Sequence, residues 1–224
     1  MSYLFLDVGN TAVKWYFDGQ YYKALIADFK TDLLPKADQI FASCVANKTL
    51  LDKLTQVVFI ESPATFKNFK SAYTEPQNLG VDRFLAMIAC IDKNPNQDLL
   101  IIDAGTALTF DLVLANGAHQ GGLIMPGLGT LRRSFKKFSS DSKNLTLNST
   151  GANTPDAWDF GTANMLMSVI NTQIEQHQQK HPDLKIILTG GDAKMIALRL
   201  QYLVKIQQNL VLDGLALITQ SRIT

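Results

Sequence analysis

Residues 3–19 read YLFLDVGNTAVKWYFDG, and residues 99–117 read LLIIDAGTALTFDLVLANG. Each opens with a short apolar run that ends on an aspartate, Asp7 in the first and Asp103 in the second. A glycine follows two residues later (Gly9, Gly105), then a Thr-Ala pair (Thr11-Ala12, Thr106-Ala107), with one residue fewer in the second turn. Another apolar run leads to a two-residue turn with glycine second, Asp18-Gly19 and Asn116-Gly117. Short apolar or alternating runs bounded by such turns read as strands joined in hairpins. The two aspartates stand 96 residues apart, close to half of the 224-residue chain. That period is too long for a solenoid. The expectation is an α/β chain of two related lobes, each beginning with a three-stranded antiparallel meander.

Working outward, strands are expected at 3–8, 12–17, 20–27, 39–45 and 56–60, with a helix at 47–55. A polar loop containing Pro76 runs to Gly80, and Asp82 is placed to cap a helix ending near Asp92. KNPNQD (93–98) breaks that helix and supplies a boundary between lobes spanning 1–97 and 98–224. In the second lobe HQGGLIMPGLGTL (119–131) is a strand ending in a Pro-Gly loop, and a helix is expected at 128–138. A polar loop at 139–153 precedes a long helix from Thr154 to Gln179. DLKIILTGGDA (183–193) is strand, Gly-Gly turn and helix start, and the last helix begins near Asp213.

Composition narrows the function. Hydrophobic residues make up 46% and charged residues 18%, which fits a globular core rather than disorder. Lys and Arg (21) nearly balance Asp and Glu (20), so no overall field draws the chain to nucleic acid or membrane. Cys44 and Cys90 lie in apolar runs without metal-ligand spacing and read as buried thiols in a reducing compartment. Asp7 interrupts the N-terminal apolar stretch before a secretory signal could form, and no run approaches a membrane span, so the expected location is cytoplasmic.

A strand that ends in Asp-x-Gly and continues into Thr suits phosphate binding. Glycine lets the backbone turn tightly and approach a ligand. The turn's N–H groups and the Thr hydroxyl donate to phosphate oxygens. The aspartate can hold a metal ion or order water beside them. One copy alone would be read as a hairpin turn. Two copies with matched Thr-Ala and flanking strands favour one nucleotide gripped from both sides of a cleft, with Gly190-Gly191 near the nucleoside. There is no GxxxxGK[ST], and GxGxxG fails because Arg132 follows Gly127 and Gly129.

The two-lobed Asp-Gly-Thr repeat resembles the actin, sugar-kinase and Hsp70 ATPase superfamily, whose lobes are RNase H-like with an ATP cleft between them. Within it the chain resembles the type III pantothenate kinases. The motifs are Asp7-Val8-Gly9-Asn10-Thr11, Gly80-Val81-Asp82-Arg83, Asp103-Ala104-Gly105-Thr106-Ala107, GGLIMPG (121–127), Asn153-Thr154 and TGGDA (189–193), six in the family's order over nearly the whole chain. The resemblance implies ATP-dependent phosphorylation of pantothenate to 4'-phosphopantothenate, the first step of coenzyme A biosynthesis. It assigns ATP phosphates to Asp7, Val8, Gly9, Asn10, Thr11, Ala12, Val13 and Lys14, with a second contact from Thr106. It makes Asp103 the ligand of a monovalent cation, potassium or ammonium. It places Tyr73, Gly80, Val81, Asp82 and Arg83 in the pantothenate pocket. Thr154 would reach a neighbouring subunit's substrate, which implies a homodimer built on the long helix, with Thr162 a weaker substitute. Mg2+ is expected to bridge the phosphates.

Asp82 is the expected base, because phosphoryl transfer to an alcohol needs a carboxylate that orients the hydroxyl and takes its proton. Alone it could be no more than a helix cap, and Tyr73 a half-buried ring. Two other readings stay open: a kinase of the same fold acting on a sugar or another small alcohol, and a catalytically idle regulatory homologue. The four cations of LRRSFKKF (131–138) read as a solvated helix face rather than a nucleic-acid patch. His119, His177 and His181 lack metal or triad spacing, and Trp15 and Trp158 read as core or interface. Residues 28–60 and 139–153 look trimmed against the family.

Overall fold

The computed structural model describes the backbone of residues 1–223 and the side chains through Gln220. Two compact units are present, one formed by Met1–Pro95 with the chain from Asn209 onward, the other by Asn96–Gln208.

In the first unit β1 (Tyr3–Val8), β2 (Ala12–Phe17), β3 (Gln20–Leu25), β4 (Gln39–Cys44) and β5 (Val57–Phe59) form one sheet in the order β3-β2-β1-β4-β5. The first three strands are an antiparallel meander, and β4 and β5 join parallel to β1. Period-two alternation sends Leu4, Leu6, Val8, Ile40 and Ala42 to one face. There they pack with Val13 and Trp15, under Phe29 and Leu51 carried in by loops. On the other face Phe5 and Phe41 stack at 6.0 Å between ring centroids. A small hairpin, β6 (Thr65–Phe66) and β7 (Phe69–Lys70), leads to α1 (Val81–Lys93), where Phe66 and Phe69 meet Phe84.

The second unit holds β8 (Leu99–Ala104), β9 (Ala107–Val113), β10 (His119–Pro126), α2 (Leu128–Arg133), α3 (Thr154–Lys180), β11 (Lys185–Thr189), α4 (Ala193–Ala197) and β12 (Val204–Ile206). Its sheet runs β10-β9-β8-β11-β12 with the same senses as the first. The repeat inferred from the meanders thus extends to both complete five-stranded sheets. Leu166, Met167, Ile170 and Ile174 of α3 pack with Leu100, Ile102, Phe110 and Leu188.

The final helix, α5 (Leu210–Ile223), starts three residues before the expected Asp213. It belongs to the first unit, where the sequence reading gave all of 98–224 to the second lobe. Packing explains the return. A Cβ on Gly214 would stand 2.2 Å from the Leu85 carbonyl oxygen of α1, so the two helices cross at near backbone contact. Asp213 fixes the crossing by accepting from Tyr21 Oη at 2.5 Å and pairing with Lys93.

Other expectations shift. The helix at 47–55 is only a 3-10 turn, Lys48–Leu51, capped by the Asn47 side chain. So short a segment does not sustain a helix alone. The helix at 128–138 stops at Arg133, and a separate turn follows at Lys136–Phe138. Aromatic packing bends the chain there, with Phe135 stacked on Phe138 at 5.0 Å and both rings against Trp158.

Candidate active site

The two Asp-x-Gly turns close alike. Gly9 N–H donates to the Ala12 carbonyl (3.1 Å), and Gly105 N–H donates to the Ala107 carbonyl (2.9 Å). In the first turn Asn10 and Thr11 are exposed, while Val8 and Val13 are wholly buried, which leaves only their backbone for a ligand. Asp7 is buried to 7% exposure at the end of β1. Lys14, its register partner on β2, brings Nζ to 3.9 Å from Asp7 Oδ2.

The expected substrate residues of the first unit come together. Gly80, not Asp82, occupies the N-cap of α1, and Asp82 lies in the first turn. Its carboxylate folds back to accept from Arg83 N–H at 2.8 Å. A Cβ at Gly80 would meet Asp82 Oδ1 at 2.7 Å, so the absent side chain leaves that carboxylate its room. Arg83 is buried and donates to Tyr73 Oη at 2.9 Å, with its guanidinium carbon 5.8 Å from the ring centroid. Val81 is buried. The opposite end of α1 lies at the start of β1: Ala89, Asp92 and Lys93 line a cavity of about 780 Å³ together with Tyr3 and Phe5. The Asp82 end is therefore directed toward the end of the sheet that carries Asp7.

In the second unit Thr106 is exposed and Asp103 half-buried. The turn is braced from two sides. Gly127 N–H and Thr130 Oγ1 both donate to the Thr106 carbonyl (3.0 and 2.7 Å). From the other side Asp192 N–H donates to the Ala104 carbonyl (2.9 Å). Gly190 adopts φ +93°, and a Cβ there would lie 2.3 Å from the Ala104 oxygen and 2.4 Å from Asp103 Oδ1. Gly190→Ala therefore combines a left-handed strain of about 1–3 kcal/mol with a backbone collision. Thermal denaturation should show its midpoint several degrees down, at roughly 2–4 °C per kcal/mol. Gly191→Ala, with nothing within 4 Å of a new Cβ, should leave the midpoint unchanged; equal effects would refute the bracing role.

Thr154 is exposed at the start of α3, and the cap is Asn153, whose side chain accepts from Asp156 N–H at 3.0 Å. Thr162 is 3% exposed; its hydroxyl donates to the Trp158 carbonyl and accepts from Arg132 Nε at 3.0 Å. Arg132 itself is fully buried, against the expectation of a solvated face. Its Nη atoms donate to the carbonyls of Ser142, Asn144 and Asp159. Lys143, in the same loop, reaches Asp192 Oδ1 at 2.7 Å. The sequence reading also passed over Ser43, the parallel register partner of Asp7, fully buried on β4. A lone serine between alanine and cysteine in IFASCV was the one available signal.

Similarity to known proteins agrees with these motifs. The family model for type III pantothenate kinase matches residues 3–176. The chain belongs to the type III pantothenate kinase family. A type III pantothenate kinase from Colwellia psychrerythraea is 34% identical over 214 residues, covering 86% of each chain. The fold is that of the actin-like ATPases and sugar kinases. A solved structure described as a Baf family transcriptional activator from Campylobacter jejuni superposes with a TM-score of 0.68 at 24% identity, covering 98% of each chain. One described as a 2-dehydro-3-deoxygalactonokinase from Sinorhizobium meliloti gives 0.59 at 13%, covering 98% of this chain and 99% of that one.

Proposed function

We propose that this chain performs its family's reaction, ATP-dependent phosphorylation of pantothenate to 4'-phosphopantothenate in coenzyme A biosynthesis, with Asp82 as the base. The observation that carries the reading is the Tyr73–Arg83–Asp82 constellation at the first turn of α1. Arg83 offers a planar fork to the pantothenate carboxylate. Tyr73 holds that fork in place, and Asp82 orients the attacking hydroxyl and takes its proton. Asp82 also sits at the positive end of the helix dipole, which favours the charged carboxylate.

The Gly9–Thr11 turn and Thr106 are assigned the ATP phosphates through N–H and hydroxyl donors, with Lys14 adding a cation beside Asp7. Asp7 and Asp103 suit metal ions held jointly with phosphate. Among the described residues no group of three or more His, Cys, Asp or Glu could hold a metal by itself. Mg2+ in kinases is bound by one or two carboxylates plus phosphates and water, so Asp7 fits it. Asp103 is assigned the potassium or ammonium ion. Bound cations would neutralise charge developing on the transferred phosphoryl group. Thr154 is preferred over Thr162 for the substrate contact, because the Thr162 hydroxyl is engaged with Arg132. A homodimer through α3 is supported by exposed Met165 on that helix and exposed Leu123 and Ile124 on β10. A cytoplasmic location is supported by two free cysteines. Among the described residues no helix is long and apolar enough to cross a membrane.

The test is ADP release by purified protein with ATP, Mg2+ and pantothenate, with and without potassium. Turnover that requires pantothenate and rises with potassium is expected. Absence of pantothenate-dependent turnover at every salt condition would overturn the proposal.

A further inference from the structure

Three neighbouring strands of the first unit carry a polar row. Lys14 on β2 pairs with Asp7 on β1, and Asp7 pairs with Ser43 on β4. Register partners project to the same face. Two residues back on that face, the corresponding row is Tyr16, Phe5 and Phe41, wholly aromatic. The fold therefore does not require polarity on this face. The next row back, Tyr3 and Gln39, is only half-buried, so on β1 and β4 the buried polar side chains of this face are Asp7 and Ser43 at the C-terminal ends, toward which the Asp82 end of α1 is directed.

Ser43 is the odd member of the row. It is 0% exposed, and its Oγ has no hydrogen-bond partner among the described residues. A buried hydroxyl without a partner destabilises the fold, because it has given up its bonds to water for none within the protein. Ala or Cys would fit the strand without that penalty. A hydroxyl kept at such a cost beside a buried carboxylate suits a ligand that arrives with its own donors and acceptors. Lys14 and Asp7 on the same row bring a cation and an anion together, which matches a ligand carrying both signs, as a metal–phosphate complex does.

We propose that the Ser43 hydroxyl is a binding residue for the magnesium–triphosphate complex at Asp7, hydrogen-bonding to an oxygen of that complex. The inference rests on the nucleotide reading above and adds to it a residue on β4, outside all six motifs. Mg2+ retains several waters beside phosphates, and each offers hydrogen-bond donors to a hydroxyl and a carboxylate.

The experiment compares wild type, Ser43→Ala and Ser43→Thr by thermal shift and titration calorimetry, free, with Mg·ATP, and with ATP plus EDTA. Because the Ser43 hydroxyl makes no hydrogen bond among the described residues, Ser43→Ala should melt at the wild-type temperature or above it. Its affinity for Mg·ATP should fall about tenfold, the size of one hydrogen bond lost to a charged complex. Ser43→Thr, which keeps the hydroxyl, should recover most of it. Loss with Mg·ATP alone assigns the bond to the ion's water; equal loss with ATP plus EDTA assigns it to a phosphate oxygen. Unchanged Mg·ATP affinity in Ser43→Ala overturns the proposal, whatever happens to the free protein. A wild type that does not bind Mg·ATP overturns the nucleotide reading itself and this inference with it.

Discussion

Asp82→Asn is expected to lower pantothenate-dependent ADP release by about 10²–10⁴-fold, the usual contribution of a positioned general base. The substitution is a narrow one. Asparagine keeps the volume and an oxygen that can accept from Arg83 N–H, so the fold of the α1 turn is conserved. Arg83 keeps its bond to Tyr73, so the pocket proposed for the pantothenate carboxylate is intact. Only the capacity to take a proton is lost, and KM for pantothenate should change far less than kcat. ATP affinity should be unaffected, because the Asp7 turn is untouched. A mutant that turns over within threefold of wild type, with an unchanged melting temperature, would remove Asp82 from the base role and leave the family's reaction in place. A mutant with unchanged kcat and a much higher KM would instead make Asp82 a substrate-binding group.

Much of this arrangement was legible in the sequence because it depends on local chemistry. Asp7-Val8-Gly9 and Asp103-Ala104-Gly105 announce strand ends and tight turns, and the structure closes both with the same Gly N–H to Ala carbonyl bond. The repeated meander foretold two matched sheets, since strand alternation and Gly-second turns are short-range signals. Residues whose roles depend on distant partners were not legible. Gly214 marks a helix crossing with Leu85, which is far away in sequence, so nothing local placed α5 with the first unit. Ser43 owes its interest to its register with Asp7, a pairing across a crossover. The loop braces, Gly127 on Gly105 and Gly190 on Ala104, could be noticed as conspicuous glycines but not assigned to their contacts. The cation cluster at 131–138 misled because composition treats its members alike, whereas Arg132 and Arg133 have opposite environments.

That contrast leads to the largest stability effect expected in the molecule. Arg132→Met should cost about 3–5 kcal/mol, in the range for removing one partner from a buried charged network. Methionine matches the volume of the side-chain stem, so the loss is of hydrogen bonding rather than packing. The carbonyls of Ser142, Asn144 and Asp159 and the Thr162 hydroxyl would lose their common donor, and the Asp159 carboxylate, 3.5 Å from Nε, its counter-charge. A buried acceptor left unmet, as the Thr162 hydroxyl would be, costs about 1–3 kcal/mol, and the part-buried carbonyls cost less because water can reach them. Arg132→Lys should recover only part of this, because a single ammonium cannot span carbonyls that a planar fork reaches at fixed angles. Arg133→Met is the matched control. Arg133 pairs with an Asp141 side chain that is 87% exposed, and such surface pairs contribute about 0–1 kcal/mol. Chemical denaturation of the three variants decides the matter: if Arg132→Met and Arg133→Met lose the same stability, the buried network is not what holds the loop. If only Arg132→Met unfolds early, one guanidinium joins α2, the 142–144 loop and the first turns of α3, and so fixes where Lys143 meets Asp192 and where Thr154 is presented.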